Sequence, residues 1–338
     1  MPLRPLGRRG PRVMVTALGF GGAPLGDLYA PLDDATAIAT VDAAYGVGVR
    51  LFDTSPLYGR GLSEHRVGAA LRRHPRDDFV LSTKVGRVYA PAPGGVRNTE
   101  GYVGGLPFEG RFDYSYDGAL RSLEQSLLRL GLARVDIALI HDIDAWTHGA
   151  DAVEARYREA LDGAWRALAE LRAQGVVRAI GIGVNDAAIC ARIARDADPD
   201  CVLLAGRYSL LEQPALDEFL PLAQAQGIGV LLGGVFNSGV LATGAVAGAR
   251  YNYRPAPPEI LARVARIERV CAAHGTELPH AALAFALGHP AVASVVLGTI
   301  SPDEVARNAA LFARAVPAAL WRDLVAEGLL RADAPLPA

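Results

Sequence analysis

Phe79-Val80-Leu81-Ser82-Thr83-Lys84 is a run of strand-forming residues that does not alternate apolar with charged positions. Such a run suits a strand covered on both faces, as in a parallel sheet. The same character recurs at Val15–Phe20, Val49–Asp53, Val135–His141, Val177–Gly183, Cys201–Ala205, Ile228–Gly233 and Ala293–Gly298, eight runs with the first. Helical spacing fills the intervals. Leu120, Leu123, Leu127 and Leu130 share one face, as do Leu161, Trp165, Leu168 and Leu171 ahead of Gly175. Ser301-Pro302-Asp303-Glu304 has the form of a capping box with proline at the first helical position. Eight β-then-α units without a break in composition predict an α/β protein, a (β/α)8 TIM barrel forming a single domain over residues 1–338. A doubly wound sheet would want a G-x-G-x-x-G turn after the first strand, and Gly19-Phe20-Gly21-Gly22 followed by Pro24 lacks that spacing.

Three connections exceed ordinary links: Gly86 to Asp113, Asp142 to Tyr157, and Gly234 to Pro258. Each follows a strand, so each is expected on the carboxyl face of the barrel, where long loops carry function.

The 338 residues are 51% hydrophobic and 21% charged, with a formal net charge of -2, an ordinary globular balance. Near-neutral charge argues against a nucleic-acid surface. The basic N-terminus of Arg4, Arg8, Arg9 and Arg12 is expected to be a solvated end. Cys190, Cys201 and Cys271 are odd in number and widely spaced, which predicts buried thiols and a cytoplasmic location, not a disulfide frame. No secretory signal core opens the chain. The uncharged stretch from Gly227 to Ala249 is long enough for a bilayer but holds seven glycines, so a strand and a glycine-rich loop are expected in place of a membrane span. The sequence leaves the oligomeric state open.

Lys84 is the only lysine among 34 Lys and Arg residues. Lysine is the cation whose pKa moves readily and which serves acid–base or Schiff-base chemistry. Asp53 closes the run before it, with Tyr58 five residues on, and His141 closes the run after it. Successive strands place these ends side by side over the barrel mouth. A tyrosine titrates near ~10, and a nearby cation is expected to lower that value by favouring the phenolate. On this reading Asp53 orients Lys84, Lys84 activates Tyr58, His141 steers the reacting oxygen and Tyr58 is the general acid–base. Two other chemistries are open to the same residues. Lys84 could form a Schiff base as in an aldolase. His141, Asp142, Asp144 and His148 could ligate a metal, though from one strand end only.

Several stretches together resemble the aldo-keto reductases. They are Phe52–Gly59 (FDTSPLYG), Ser82–Lys84 (STK), Val135–His141 (VDIALIH), Ile180–Asn185 (IGIGVN) and Val295–Asn308 (VVLGTISPDEVARN). The resemblance runs from about Leu18 to Asn308. It implies a barrel that binds a nicotinamide cofactor without a Rossmann domain, and a catalytic tetrad of Asp53, Tyr58, Lys84 and His141. It also implies cofactor contacts at Gly22, Asn185, Phe236, Ser238, Gly298, Thr299, Glu304, Arg307 and Asn308, and no metal. Members that use NADP carry basic residues where this chain has Gly298 and Glu304. A carboxylate there would repel a 2′-phosphate, so NAD is expected over NADP. The family's glutamine on the sixth strand is Ala205 here, and its ring-stacking aromatic is Gly233. Phe236 with Asn185 is expected to hold the nicotinamide instead.

Ala205–Gln213 (AGRYSLLEQ), Gly233–Gly239 (GGVFNSG) and Phe112–Leu132 resemble a subgroup of NAD-dependent sugar dehydrogenases. That subgroup covers L-fucose, L-galactose and D-threo-aldose 1-dehydrogenases, with pyridoxal 4-dehydrogenase beside them. The implied reaction is oxidation of an aldose at the anomeric carbon to a lactone. The alternatives are a pyridoxal 4-dehydrogenase, a general aldehyde or ketone reductase, and a coenzyme-binding regulatory subunit without turnover. Substrate contacts with a small sugar or aldehyde are expected from Trp146, Tyr251, Tyr253 and Arg254, with Arg250 and His148 as further candidates.

Overall fold

A computed structural model describes residues 1–7 and 13–337; Arg8, Arg9 and Arg12 lie outside the described residues. Eight strands form a closed, all-parallel barrel: β1 (Leu18–Gly21), β2 (Leu51–Asp53), β3 (Val80–Val85), β4 (Ile137–His141), β5 (Ala179–Val184), β6 (Cys201–Ala205), β7 (Gly229–Gly233) and β8 (Val292–Gly298). Each strand pairs with its neighbours in sequence, and β8 closes onto β1. Every residue of β1 to β5 is buried, which is why these runs do not alternate.

The first expected strand is divided. Met14–Thr16 pairs antiparallel with Leu3–Pro5, and only Leu18–Gly21 enters the barrel. Thr16 makes the break, because its hydroxyl donates to Leu18 O at 2.7 Å and accepts from Arg50 N at 3.0 Å. The hairpin closes the amino end: Leu6, Val13 and Val15 pack with Leu51, Val80, Leu139, Leu203 and Leu231. Arg4, expected in solvent, donates to Leu287 O and Val292 O at 3.2 and 3.0 Å.

Helices cover the outside. Tyr116–Leu130 starts at Ser115, whose hydroxyl accepts from Gly118 N, and stops at Gly131, which takes a left-handed φ of 62°. The helix carrying Trp165 contains a π segment at Ala160–Trp165, where Ala164 N donates to Tyr114 O at 2.8 Å instead of inside its own helix. Pro302–Phe312 is capped by Ser301 as its motif requires.

All three long connections hold structure of their own. The first contains an antiparallel hairpin, Arg87–Pro91 with Phe108–Phe112; the second a short helix, Ala145–His148; the third a small hairpin, Arg250–Tyr251 with Arg254–Pro255. Residues 227–249 form β7 and a turn-rich loop, and among the described residues no helix is long and apolar enough to cross a membrane.

Candidate active site

Strand ends at the carboxyl rim bring Asp53, Tyr58, Lys84 and His141 together. Lys84 is 1% exposed, and its Nζ donates to Asp53 Oδ2 at 2.7 Å, Thr54 O at 2.9 Å and Tyr58 Oη at 2.9 Å. The three donor positions of the ammonium are thereby used. Gly183 on β5 lies opposite His141 and leaves room for this arrangement: a Cβ there would stand 3.2 Å from Lys84 Cε.

Tyr58 is placed by its loop. Gly26 and Gly59 approach so closely that a Cβ on either would collide with the other's backbone segment, and Gly59 holds a left-handed φ of 64°. Arg60 then ties this turn to the long first connection, donating to Leu106 O and Gly104 O, both at 2.8 Å. Tyr102 from that connection sits beside Tyr58, with ring centroids 6.3 Å apart.

The His141 ring stands edge-on to Tyr58 at 6.0 Å. Its Nδ1 lies 3.1 Å from Ser55 Oγ, which accepts from Leu57 N at 3.1 Å. With Ser55 donating to Nδ1, the ring carries its N–H on Nε2, which lies 3.5 Å from Asp142 Oδ1. Burial holds His141 well below the ordinary histidine range, and the Lys84 and Arg87 charges add to the effect. The imidazole is therefore a neutral donor.

Burial pushes the Tyr58 hydroxyl well above the usual phenol range, and Asp53 pushes it further. This corrects the expectation that Lys84 lowers it. Loss of water is the largest effect, and the nearby Asp53 carboxylate adds to it. Burial also raises the Asp53 carboxyl, with Lys84 opposing that rise.

Composition and spacing did not flag Arg87 as part of the site. Its guanidinium reaches Asp142 Oδ2 at 2.8 Å and Glu100 Oε1 at 3.0 Å, and lies over the Phe112 ring. Asp142 entered the sequence reading only as a metal ligand. Asp144 caps Ala145–His148 through Thr147 N and also accepts from Asn185 N. His148 packs against Phe112 and Tyr114 with its Nε2 3.0 Å from Tyr114 Oη, so it braces the loop instead of lining the mouth. Among the described residues no group of three or more His, Cys, Asp or Glu side chains could hold a metal ion.

The aldo/keto reductase family model matches residues 17–326. The chain belongs to the aldo/keto reductase family. It is 43% identical to a pyridoxal 4-dehydrogenase of Microbacterium luteolum over 337 residues, covering 97% of each chain. It is 40% identical to a D-threo-aldose 1-dehydrogenase of a Pseudomonas species, covering 94% of this chain and 95% of the relative. Its fold is similar to that of the holo form of aldo-keto reductase AKR11C1 from Bacillus halodurans, with a TM-score of 0.73, 25% identity, and coverage of 98% and 97%.

An aldo/keto reductase is an oxidoreductase that works with a nicotinamide cofactor. A cavity of about 370 Å³ lies beside the last barrel helix. Phe236, Gly244, Glu268, Arg307 and Asn308 line it. Thr299 Oγ1 is buried nearby in sequence with no hydrogen-bond partner. Gly298 is held to a bare backbone, since a Cβ would stand 2.8 Å from Pro24 Cγ. Glu304 accepts from Ile300 N at 3.0 Å, one residue ahead of the Ser301 cap. Gly22, at the end of β1, donates to Asp53 O at 2.7 Å and so fastens the rim beneath the site.

Asn185 lines a second cavity, of about 560 Å³, with Trp146, Asp186 and Arg207, while Phe236 lines the first. Trp146 is exposed, with the Arg207 guanidinium 5.4 Å from its ring centroid. In the third connection, Tyr251 Oη donates to the Glu212 carboxylate and anchors the hairpin. Ser238 accepts from Tyr253 N at 2.9 Å. Tyr253 holds a left-handed φ of 65° at the hairpin tip and is near enough to Asn185 for a side-chain hydrogen bond. Arg250 lies over the Tyr29 ring, and Arg254 is exposed on the hairpin's second strand.

Proposed function

We propose that the chain is a one-domain NAD-dependent enzyme that oxidises an aldose of the L-fucose, L-galactose or D-threo-aldose type at its anomeric carbon to a lactone. The observation that carries the reading is the Tyr58 hydroxyl, held 2.9 Å from the buried Lys84 ammonium at the barrel mouth. The bound nicotinamide ring supplies the hydride acceptor.

Tyr58 takes the proton of the anomeric hydroxyl, and His141 Nε2–H holds the same oxygen. Lys84 stabilises the phenolate that must exist before that transfer, and Asp53 keeps Lys84 charged and aimed. Asn185 contacts the carboxamide end, while Gly22, Ser238, Gly298, Thr299, Arg307 and Asn308 hold the rest of the cofactor, with Phe236 against its adenosine end. Trp146, Tyr251, Tyr253 and Arg254 line the way in for the sugar. Glu304 disfavours a 2′-phosphate, which supports NAD over NADP. The 40% identity to a D-threo-aldose 1-dehydrogenase supports the substrate class, and the 43% identity to a pyridoxal 4-dehydrogenase makes pyridoxal the second substrate to try. Three buried free cysteines suit a cytoplasmic enzyme.

The test is a spectrophotometric screen of NAD and NADP against L-fucose, L-galactose, D-arabinose and pyridoxal. Reduction of NAD by an aldose, with a lactone recovered, is the expected result. A clear preference for NADP overturns the cofactor assignment, and turnover of pyridoxal alone moves the enzyme to the second reading. Tyr58→Phe should lower kcat by at least about a thousandfold while NADH still binds; full activity removes Tyr58 from the mechanism. Because the phenol is raised, kcat/KM for oxidation should climb with pH up to the ordinary phenol range, about 10, without a plateau at neutrality. A plateau beginning near pH 7 would show a lowered phenol instead.

A further inference from the structure

Asp142 follows His141 directly and turns the chain at the end of β4. Its φ is 57°, a left-handed value that few residues other than glycine, asparagine and aspartate take. Two contacts hold it so. Asp142 N donates to Gly183 O at 3.0 Å, and Oδ2 is ion-paired with Arg87 Nη1 at 2.8 Å. Arg87 is itself fixed by Glu100 and by the Phe112 ring. One carboxylate oxygen is thereby committed. The other, Oδ1, stands 3.5 Å from His141 Nε2, the atom assigned above to hold the reacting oxygen.

A left-handed turn, a buried guanidinium and a second acid together fix one oxygen beside His141. An ionised carboxylate can only accept hydrogen bonds. When the reacting oxygen lies between Tyr58 Oη and His141 Nε2, a hydroxyl on the adjacent carbon sits about a hydrogen-bond length away from it. That is the place Oδ1 can reach.

We infer that Asp142, held by Arg87, accepts the hydroxyl on the carbon next to the reacting one, and so selects substrates of the α-hydroxy aldehyde and aldose class. For sugars the inference rests on the aldose reading above, and the group bound is the C2 hydroxyl. A substrate without that hydroxyl leaves a buried carboxylate oxygen unpaired in the complex, which is how a polar site rejects a deoxy analogue.

The experiment measures kcat/KM for two substrate pairs. In oxidation, the best aldose from the screen is set against its 2-deoxy counterpart. In reduction, glyceraldehyde is set against propanal, with whichever coenzyme is used. Wild type should favour the hydroxylated member of each pair by about tenfold to a hundredfold, the size of a hydrogen bond to a charged group. Asp142→Gly keeps the left-handed turn and removes the carboxylate, so both preferences should collapse, with the loss mainly in KM for the hydroxylated member. Asp142→Asn keeps shape and turn and should reduce the preferences by a smaller factor; it also serves if the glycine variant fails to fold by circular dichroism. Unchanged preferences in folded variants, or no preference in wild type, overturn the inference. If aldoses are not oxidised but the glyceraldehyde preference exists and collapses, the lactone reading falls while Asp142 keeps its role. If neither pair is turned over, both fall.

Discussion

The two ends of this barrel are built on opposite terms. At the amino end, Leu6, Val13 and Val15 from the terminal hairpin meet Leu51, Val80, Leu139, Leu203 and Leu231 in an apolar plug. At the carboxyl end, the same strands finish in Asp53, Lys84, His141 and, just beyond, Asp142, with Arg87 folded over them. Side chains at both ends are buried, yet the amino-end plug itself is apolar, with Asp136 and Asp200 paired to Arg76 and Arg172 at the strand starts, whereas the rim gathers its charges over the mouth. Apolar burial is favourable without geometric demands, whereas a buried charge is tolerated only with its partner in place. The plug therefore carries stability and the rim carries reactivity, at a cost that the plug offsets.

The strongest way to break that contrast is at the rim. Lys84→Met should abolish turnover and also destabilise the fold by about 3–5 kcal/mol, because Asp53 is left buried without its cation. Adding Asp53→Asn should recover much of the stability and none of the activity. Urea unfolding and steady-state rates on the same samples check both arms; a fully stable single variant would mean that water, not Lys84, satisfies Asp53.

At the plug the expected pattern is reversed. Leu231→Ala should cost about 2–5 kcal/mol by the same unfolding assay while kcat stays near wild type in the cold. A large fall in kcat with the fold intact would show that the two ends are mechanically coupled. The smallest effect belongs to Ser55→Ala. It releases Nδ1 of His141 and lets the ring adopt the other tautomer part of the time. We expect kcat to fall about tenfold, with coenzyme binding and thermal stability little changed. An unaltered kcat would remove Ser55 from the orientation of His141.

Reading the chain before its structure succeeded where chemistry is local. The non-alternating runs, their number and the residues at their ends follow from periodicity, and those ends do meet: Lys84 touches both Asp53 and Tyr58. It failed where a residue's role depends on distant neighbours. Val15–Phe20 looks continuous, yet Thr16 splits it through bonds to Leu18 and Arg50. His148 looked like a substrate contact and is turned against Phe112.

Tyr58 marks the boundary between the two kinds of knowledge. That a phenol and a lone ammonium share the mouth of a barrel is set by strand order, because successive parallel strands must end side by side. Whether the ammonium lowers the phenol or burial raises it is decided in three dimensions, since it depends on how much water reaches the hydroxyl and on the Asp53 carboxylate 2.7 Å from the same nitrogen. Periodicity carries the backbone's path, but desolvation and charge pairing are sums over neighbours that only the folded chain brings together.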